Sequence, residues 1–141
     1  MRQSLFHLCT IALLSACSLQ TPYQSERFKG GFVDMPLSGG RYRISVRGNG
    51  VTDRQRVTNI AMVRAAELAL QNGHSYFGID DVGESSRTRL IASANSISSV
   101  DNAYVTLIVR FSRSGSEAGM MNAQATIDRL GPSVGYKPNH S

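Results

Sequence analysis

Arg41, Arg43 and Arg47 alternate with Tyr42, Ile44 and Val46, so the three guanidinium groups fall on one side of an extended stretch. Planar donors arrayed in that way suit phosphate or carboxylate groups. The same pattern also keeps a sheet face soluble and discourages unwanted strand pairing, so both readings stand. Gly48-Asn49-Gly50 could cradle a phosphate at the start of a following helix. A dinucleotide fingerprint would need a third glycine at position 53, where Asp53 stands; its carboxylate would repel a phosphate, and a tight turn is the reading favoured. Asp80, Asp81 and Glu84 offer oxygens to a hard cation, but no EF-hand spacing follows and a solvated acidic loop explains them. His74 and His140 stand far apart without paired-ligand spacing. Gly83-Glu84-Ser85-Ser86-Arg87 misses the nucleophile elbow, because Arg87 replaces its second glycine. No catalytic residue, metal site or cofactor is therefore expected.

The remaining reactive group is the thiol of Cys17, directly after Leu14-Ser15-Ala16 at the end of a short apolar run. The four residues resemble the lipobox of bacterial lipoproteins. That resemblance implies alkylation of the Cys17 thiol by diacylglycerol, a cut between Ala16 and Cys17, and acylation of the new amino group. Met1-Arg2-Gln3 gives the positive start of a signal peptide and residues 5–16 its apolar core. As a helix, that core would reach only about 18 Å at ~1.5 Å per residue, against a hydrocarbon layer of ~30 Å. Secretion with a small-residue cut and no lipid is the alternative that spacing alone leaves open. Two or three acyl chains would fix the protein on the membrane where one chain holds only marginally. Ser18 follows the cysteine where inner-membrane lipoproteins of enteric-type bacteria often carry Asp, which implies the periplasmic leaflet of the outer membrane.

Composition agrees with a small secreted domain. Both cysteines are used by this address: Cys9 leaves with residues 1–16, and Cys17 becomes a thioether, so no disulfide is expected. Removing residues 1–16 from 141 leaves 125, enough for one domain with a modest core. The formal charge falls from +5 to +4 as Arg2 leaves, and Lys29 and Lys137 are the only lysines. In a periplasm, a basic protein meets lipid head groups, lipopolysaccharide phosphates and wall polymers rather than nucleic acid.

The elements that would position these groups read as follows. Residues 18–40, with Thr21-Pro22-Tyr23-Gln24, Gly30-Gly31, Pro36 and Gly39-Gly40, read as a flexible tether of ~25–30 Å on which Phe28, Phe32 and Met35 could dock. Residues 41–47 form a strand. Thr52 is a helix N-cap candidate with Asp53 in the first turn, and the helix runs to about Asn72 before Gly73. Val57, Ala61, Ala65 and Leu68 line its apolar side, broadened by Ala66, Ala69 and Leu70, while Arg64 and Glu67 are spaced to pair. Residues 74–80 form the next strand. Residues 81–101 are polar and serine-rich, with only Leu90-Ile91 hinting at a strand. Residues 104–111 are strongly strand-like. Asn122 caps a last helix with Ala123, Ile127 and Leu130 inward, Gly131-Pro132 ends it, and residues 133–141 form a loose tail.

The order β-α-β-(β)-β-α predicts an α+β two-layer sandwich: a small mixed sheet of three or four strands with two helices on one face. A right-handed crossover would make the strands flanking the first helix parallel. The expected organisation is a signal peptide (1–16), lipidated cysteine and tether (17–40), globular domain (41–132) and tail (133–141). The chain also resembles a family of short, uncharacterised bacterial lipoproteins. The residues carrying this are Cys17, Thr21-Pro22-Tyr23-Gln24, Gly48-Asn49-Gly50 with Thr52, Arg64-Ala65-Ala66-Glu67-Leu68 and Gly73-His74-Ser75-Tyr76-Phe77. The resemblance implies a lipoprotein but no activity. The leading expectation is an outer-membrane lipoprotein with a non-enzymatic structural or interaction role, held by the lipid on Cys17 and meeting anionic envelope components or another envelope protein. A periplasmic module for a small anionic ligand is the alternative, and an envelope hydrolase a weaker one.

Overall fold

The structure is a computed structural model that describes residues 20–93 and 96–138. Its order is β1 (Gly31–Pro36), a single 3-10 turn (Ser38–Gly40), β2 (Tyr42–Arg47), α1 (Arg54–Gln71), β3 (Tyr76–Ser93), β4 (Ser96–Ser112), β5 (Met120–Asn122) and α2 (Ala123–Val134). The five strands make one sheet in the order β1-β2-β4-β3-β5. This is an α+β fold of two layers. The expected signal peptide, with Ala16 and Cys17, lies outside the described residues.

The inner face of the sheet follows from the alternation. Ile44 and Val46 of β2 pair with Leu107 and Val105 of β4, and all four are buried. Phe77 of β3 faces Phe111 of β4 and is fully buried. Helix α1 lies over these residues with Val57, Ile60, Ala61, Val63, Ala65, Ala66, Leu68 and Ala69 buried, and α2 packs beside α1 through Ala123, Ile127 and Val134. Burying each large side chain contributes ~1.5–3 kcal/mol, so this sandwich of aliphatic residues and Phe77 is what holds the layers together. Leu70, expected inward, is instead partly exposed, while Ile60 and Val63 join the core unforeseen. The small alanines of α1 let the helix sit close to the strands.

Four expectations are corrected. The sheet is antiparallel in every pairing and has five strands. β2 and β3 do run in the same direction, as the crossover through α1 requires, but β4 lies between them.

Second, the 18–40 stretch is no tether from Gln20 on. Thr21 is fully buried, and β1 adds to the sheet edge with Phe32 facing Val46 and Asp34 facing Ile44. Phe32 docks as expected, whereas Phe28 and Met35 are exposed. The chain doubles back through a two-residue hairpin at Phe28-Lys29, closed by Arg27 N–H to Gly30 O (3.1 Å) and Gly30 N–H to Arg27 O (2.9 Å). Gly30 sits at φ 93° against the Arg47 carbonyl, where a Cβ would come within 2.3 Å. Only glycine fits there.

Third, strand runs through residues 81–93 and 96–101, far beyond the short stretch at which Leu90-Ile91 hints. β3 and β4 form one long hairpin, with β2 leaving off at the pair Arg47–Tyr104 while the two strands continue from Ser86–Ala103 out to Ser93–Ser96. Eight paired positions at ~3.3 Å each make a two-stranded arm of about 25 Å beyond the sheet. Fourth, Gly131-Pro132 does not stop α2. The helix runs on to a buried Val134, and Tyr136 packs against the core, so the expected tail is fixed at least to that point.

Candidate functional site

The densest polar cluster joins β1, α1 and both ends of the described chain. Asp34 is on the inner face of β1, because its neighbour Phe32 must point inward and residues two apart share a face. It thereby meets Arg64 of α1: Nε donates to Oδ1 and a terminal nitrogen to Oδ2, both at 2.9 Å. The other terminal nitrogen of Arg64 donates to Glu67 one turn along the helix, the pairing its spacing predicts. Tyr23 donates its phenol to the same Glu67 carboxylate at 2.5 Å. Rings complete the cluster: Phe32 lies under the Arg64 guanidinium at 4.7 Å, Tyr23 packs on Phe32 at 4.9 Å, and Tyr136 meets Tyr23 edge-on at 5.1 Å.

Its electrostatics are those of a clamp. Burial, the hydrogen bond to Glu67 and the charge of Glu67 all push the Tyr23 phenol well above its ordinary value. Burial works against the charge on Arg64, but the hydrogen bonds to Asp34 and Glu67 outweigh it and push its pKa up. Tyr136 is raised as well, by burial and then by Glu67. A cleft of about 400 Å³ opens beside the cluster, lined by Tyr23, Gln24, Phe32, Arg64, Gln71 and Lys137 among others. Two charged groups lining it are engaged within the cluster: Arg64 gives three N–H groups to carboxylates, and Glu67 accepts from both Arg64 and Tyr23.

A second node gathers around Thr21. Its N–H donates to Thr52 Oγ1 at 2.7 Å, and its own Oγ1 donates to Lys29 O at 2.9 Å while accepting from Asn49 N–H at 2.9 Å. Arg56 Nε donates to Thr21 O at 2.8 Å, and another Arg56 nitrogen donates to Ser133 O at 2.5 Å. The Phe28-Lys29 hairpin, the 48–52 turn and the C-terminal end of α2 are thus tied to one point. Thr52 serves this node, and the N-cap of α1 is Asp53, which accepts from Arg56 N–H at 2.7 Å.

The residues singled out from sequence are dispersed. Arg43 is exposed on the outer sheet face. Arg41 precedes β2 and donates to Ser38 O at 3.3 Å. Arg47 is paired with Glu26 at 2.6 Å and also donates to Arg27 O at 3.0 Å. The three therefore do not form one free cationic row. Asp80 pairs with Arg110 and Glu84 with Arg54, drawing two of the three candidate calcium ligands into separate ion pairs. Among the described residues no group of three His, Cys, Asp or Glu side chains could hold a metal. The His74 ring packs at 5.9 Å from Phe111, and His140 lies outside the described residues. Asp34 and Thr21 were invisible as site residues, because the partners that give them a role lie 30 and 31 positions away.

No helix among the described residues is long and apolar enough to cross a membrane. Compared with family models, curated proteins and solved structures, the chain finds no match.

Proposed function

We propose that this chain is a lipid-anchored lipoprotein of the outer membrane, facing the periplasm, attached through Cys17 and acting as a non-enzymatic structural or interaction module of the envelope. The observation that carries this reading is the position of Cys17 directly after Leu14-Ser15-Ala16, four residues before the buried Thr21. A chain extends at most ~3.3–3.6 Å per residue, so the lipid would sit within about 14 Å of the folded domain. The close spacing suits a domain that works at the membrane surface. The non-enzymatic part is supported by the cluster at Arg64, whose charged groups satisfy one another.

The test is metabolic labelling with radioactive palmitate in a bacterium that processes lipoproteins, followed by separation of inner and outer membranes. Wild type should incorporate label and sediment with the outer membrane, and Cys17→Ser should do neither. Equal labelling of the two proteins would remove the reading.

A further inference from the structure

We propose that the end of the domain carrying Phe28, Arg27 and Lys29 docks on an anionic lipid bilayer, with the Phe28 ring entering the head-group layer. The inference rests on the lipid-anchor reading and adds to it the face of the domain that meets the membrane.

Phe28 is 89% exposed. It occupies the tip of a two-residue hairpin, between the exposed Arg27 and Lys29. Solution offers that ring no partner, whereas an aromatic residue flanked by cations matches the interface of an anionic bilayer, apolar beneath and negative at its surface. Val51, 57% exposed, stands on the neighbouring turn.

The location decides the occupant. Thr21 binds Lys29 O on one side and Asn49 and Thr52 on the other, so both apolar tips belong to the point from which the chain leads back to Cys17. With at most about 14 Å between that point and a lipid on Cys17, this end cannot turn far from the bilayer. The local concentration of lipid there makes weak contacts effective. The β3–β4 arm leaves the same end of the sheet, beyond the Arg47–Tyr104 pair. At about 25 Å the arm is longer than the lipid connection, so a docked domain lies with its strands inclined and the arm along the head groups.

The chain has no tryptophan, which makes Phe28→Trp a single-tryptophan reporter at an exposed site. Full-length protein bearing it would be expressed, processed, purified from membranes and reconstituted into phosphatidylethanolamine–phosphatidylglycerol vesicles, with and without brominated lipid. Met35→Trp, on an exposed position far along β1, is the matched control. Docking requires that the indole emission of the Phe28→Trp protein shifts to the blue and is quenched by shallow bromines, while that of the Met35→Trp protein is not. Equal behaviour of the two reporters overturns it. Intact mass of the same samples reports the lipid on Cys17, so loss of the anchor reading and loss of docking are separate results. With unlipidated Cys17→Ser protein, replacing Arg27 and Lys29 by Ser should weaken partition into these vesicles roughly 25-fold, from on the order of five-fold per basic residue. Unchanged partition would overturn the part assigned to the two cations.

Discussion

Thr52 accepts the backbone N–H of Thr21 at 2.7 Å and returns a hydroxyl contact to Thr21 Oγ1 at 3.0 Å, joining residues 31 positions apart at a buried site. The side chain that sequence reasoning assigns to capping α1 is thereby freed to fasten the incoming chain, while Asp53 caps the helix. The start of the folded domain is thus set by a hydrogen-bonded pair of threonines.

Thr21→Val tests that pair, since valine keeps the shape and removes the hydroxyl. Lys29 O loses its donor and Asn49 N–H its acceptor. Leaving such groups unpaired costs ~1–3 kcal/mol each where they are buried, so a loss of about 2–3 kcal/mol is expected on chemical unfolding. The Asn49 amide should also exchange faster with solvent in the native state. Unchanged stability and unchanged exchange would mean the node is incidental.

Arg64→Ala should be the costlier change on α1. It strands Asp34 and leaves Glu67 with the Tyr23 hydroxyl but no cation, at side chains only 21% and 13% exposed. Fully buried pairs lose ~3–5 kcal/mol when one partner is removed, and the partial exposure here brings the expectation to about 2–4 kcal/mol. Because Asp34 belongs to the edge strand, β1 should detach first, seen as early loss of amide protection over residues 31–36. A mutant that melts like wild type would show the clamp to be energetically neutral.

Alkaline pH gives a third expectation. The Tyr23 phenol is held protonated in the fold, above its ordinary value of 10.0. Above that pH the unfolded chain loses the proton while the folded chain keeps it. The stability contributed is complete below pH ~10 and falls as pH rises toward the folded value, at a limiting ~1.4 kcal/mol per pH unit. Tyr23→Phe should therefore be less stable than wild type at pH 7 and approach it by pH 11, as measured by urea midpoints. Parallel pH profiles would rule out Tyr23 as the source.

What the sequence discloses and what it hides divides along physical lines. β2 and the 104–111 part of β4 alternate cleanly because helices cover one face only, and α1 carries enough apolar positions to declare itself. Arg64 and Glu67 could be paired in advance because one helical turn sets their distance. β1 stayed hidden because its inner face holds one large apolar residue, Phe32, followed by Asp34, which looks solvated until Arg64 is placed over it. Past Tyr104, β2 no longer pairs with β4, so the alternation that marks the central strands is not prescribed by that neighbour along the arm. Glu26 was equally out of sight: the outward direction of Arg47 is as expected, but the doubled-back N-terminal segment brings a carboxylate onto it.

Two glycines in that segment separate close packing from backbone conformation. Gly30 and Gly39 both have positive φ, at 93° and 73°. A Cβ on Gly39 meets nothing within 4 Å, so Gly39→Ala carries only the conformational penalty, about 1–2 kcal/mol. A Cβ on Gly30 would lie 2.3 Å from Arg47 O and 2.9 Å from Thr21 Oγ1, inside contact distance of a backbone atom that cannot swing away. Relief would require moving the hairpin off β2, breaking the Thr21–Lys29 bond and the Arg47–Glu26 pair together. Gly30→Ala is therefore expected to cost at least about 2 kcal/mol more than Gly39→Ala, as strain and lost hydrogen bonds add. Guanidinium unfolding of the two variants measures the difference. Equal losses would mean that the hairpin yields freely, and that Thr21 does not hold the Phe28 tip in a fixed place.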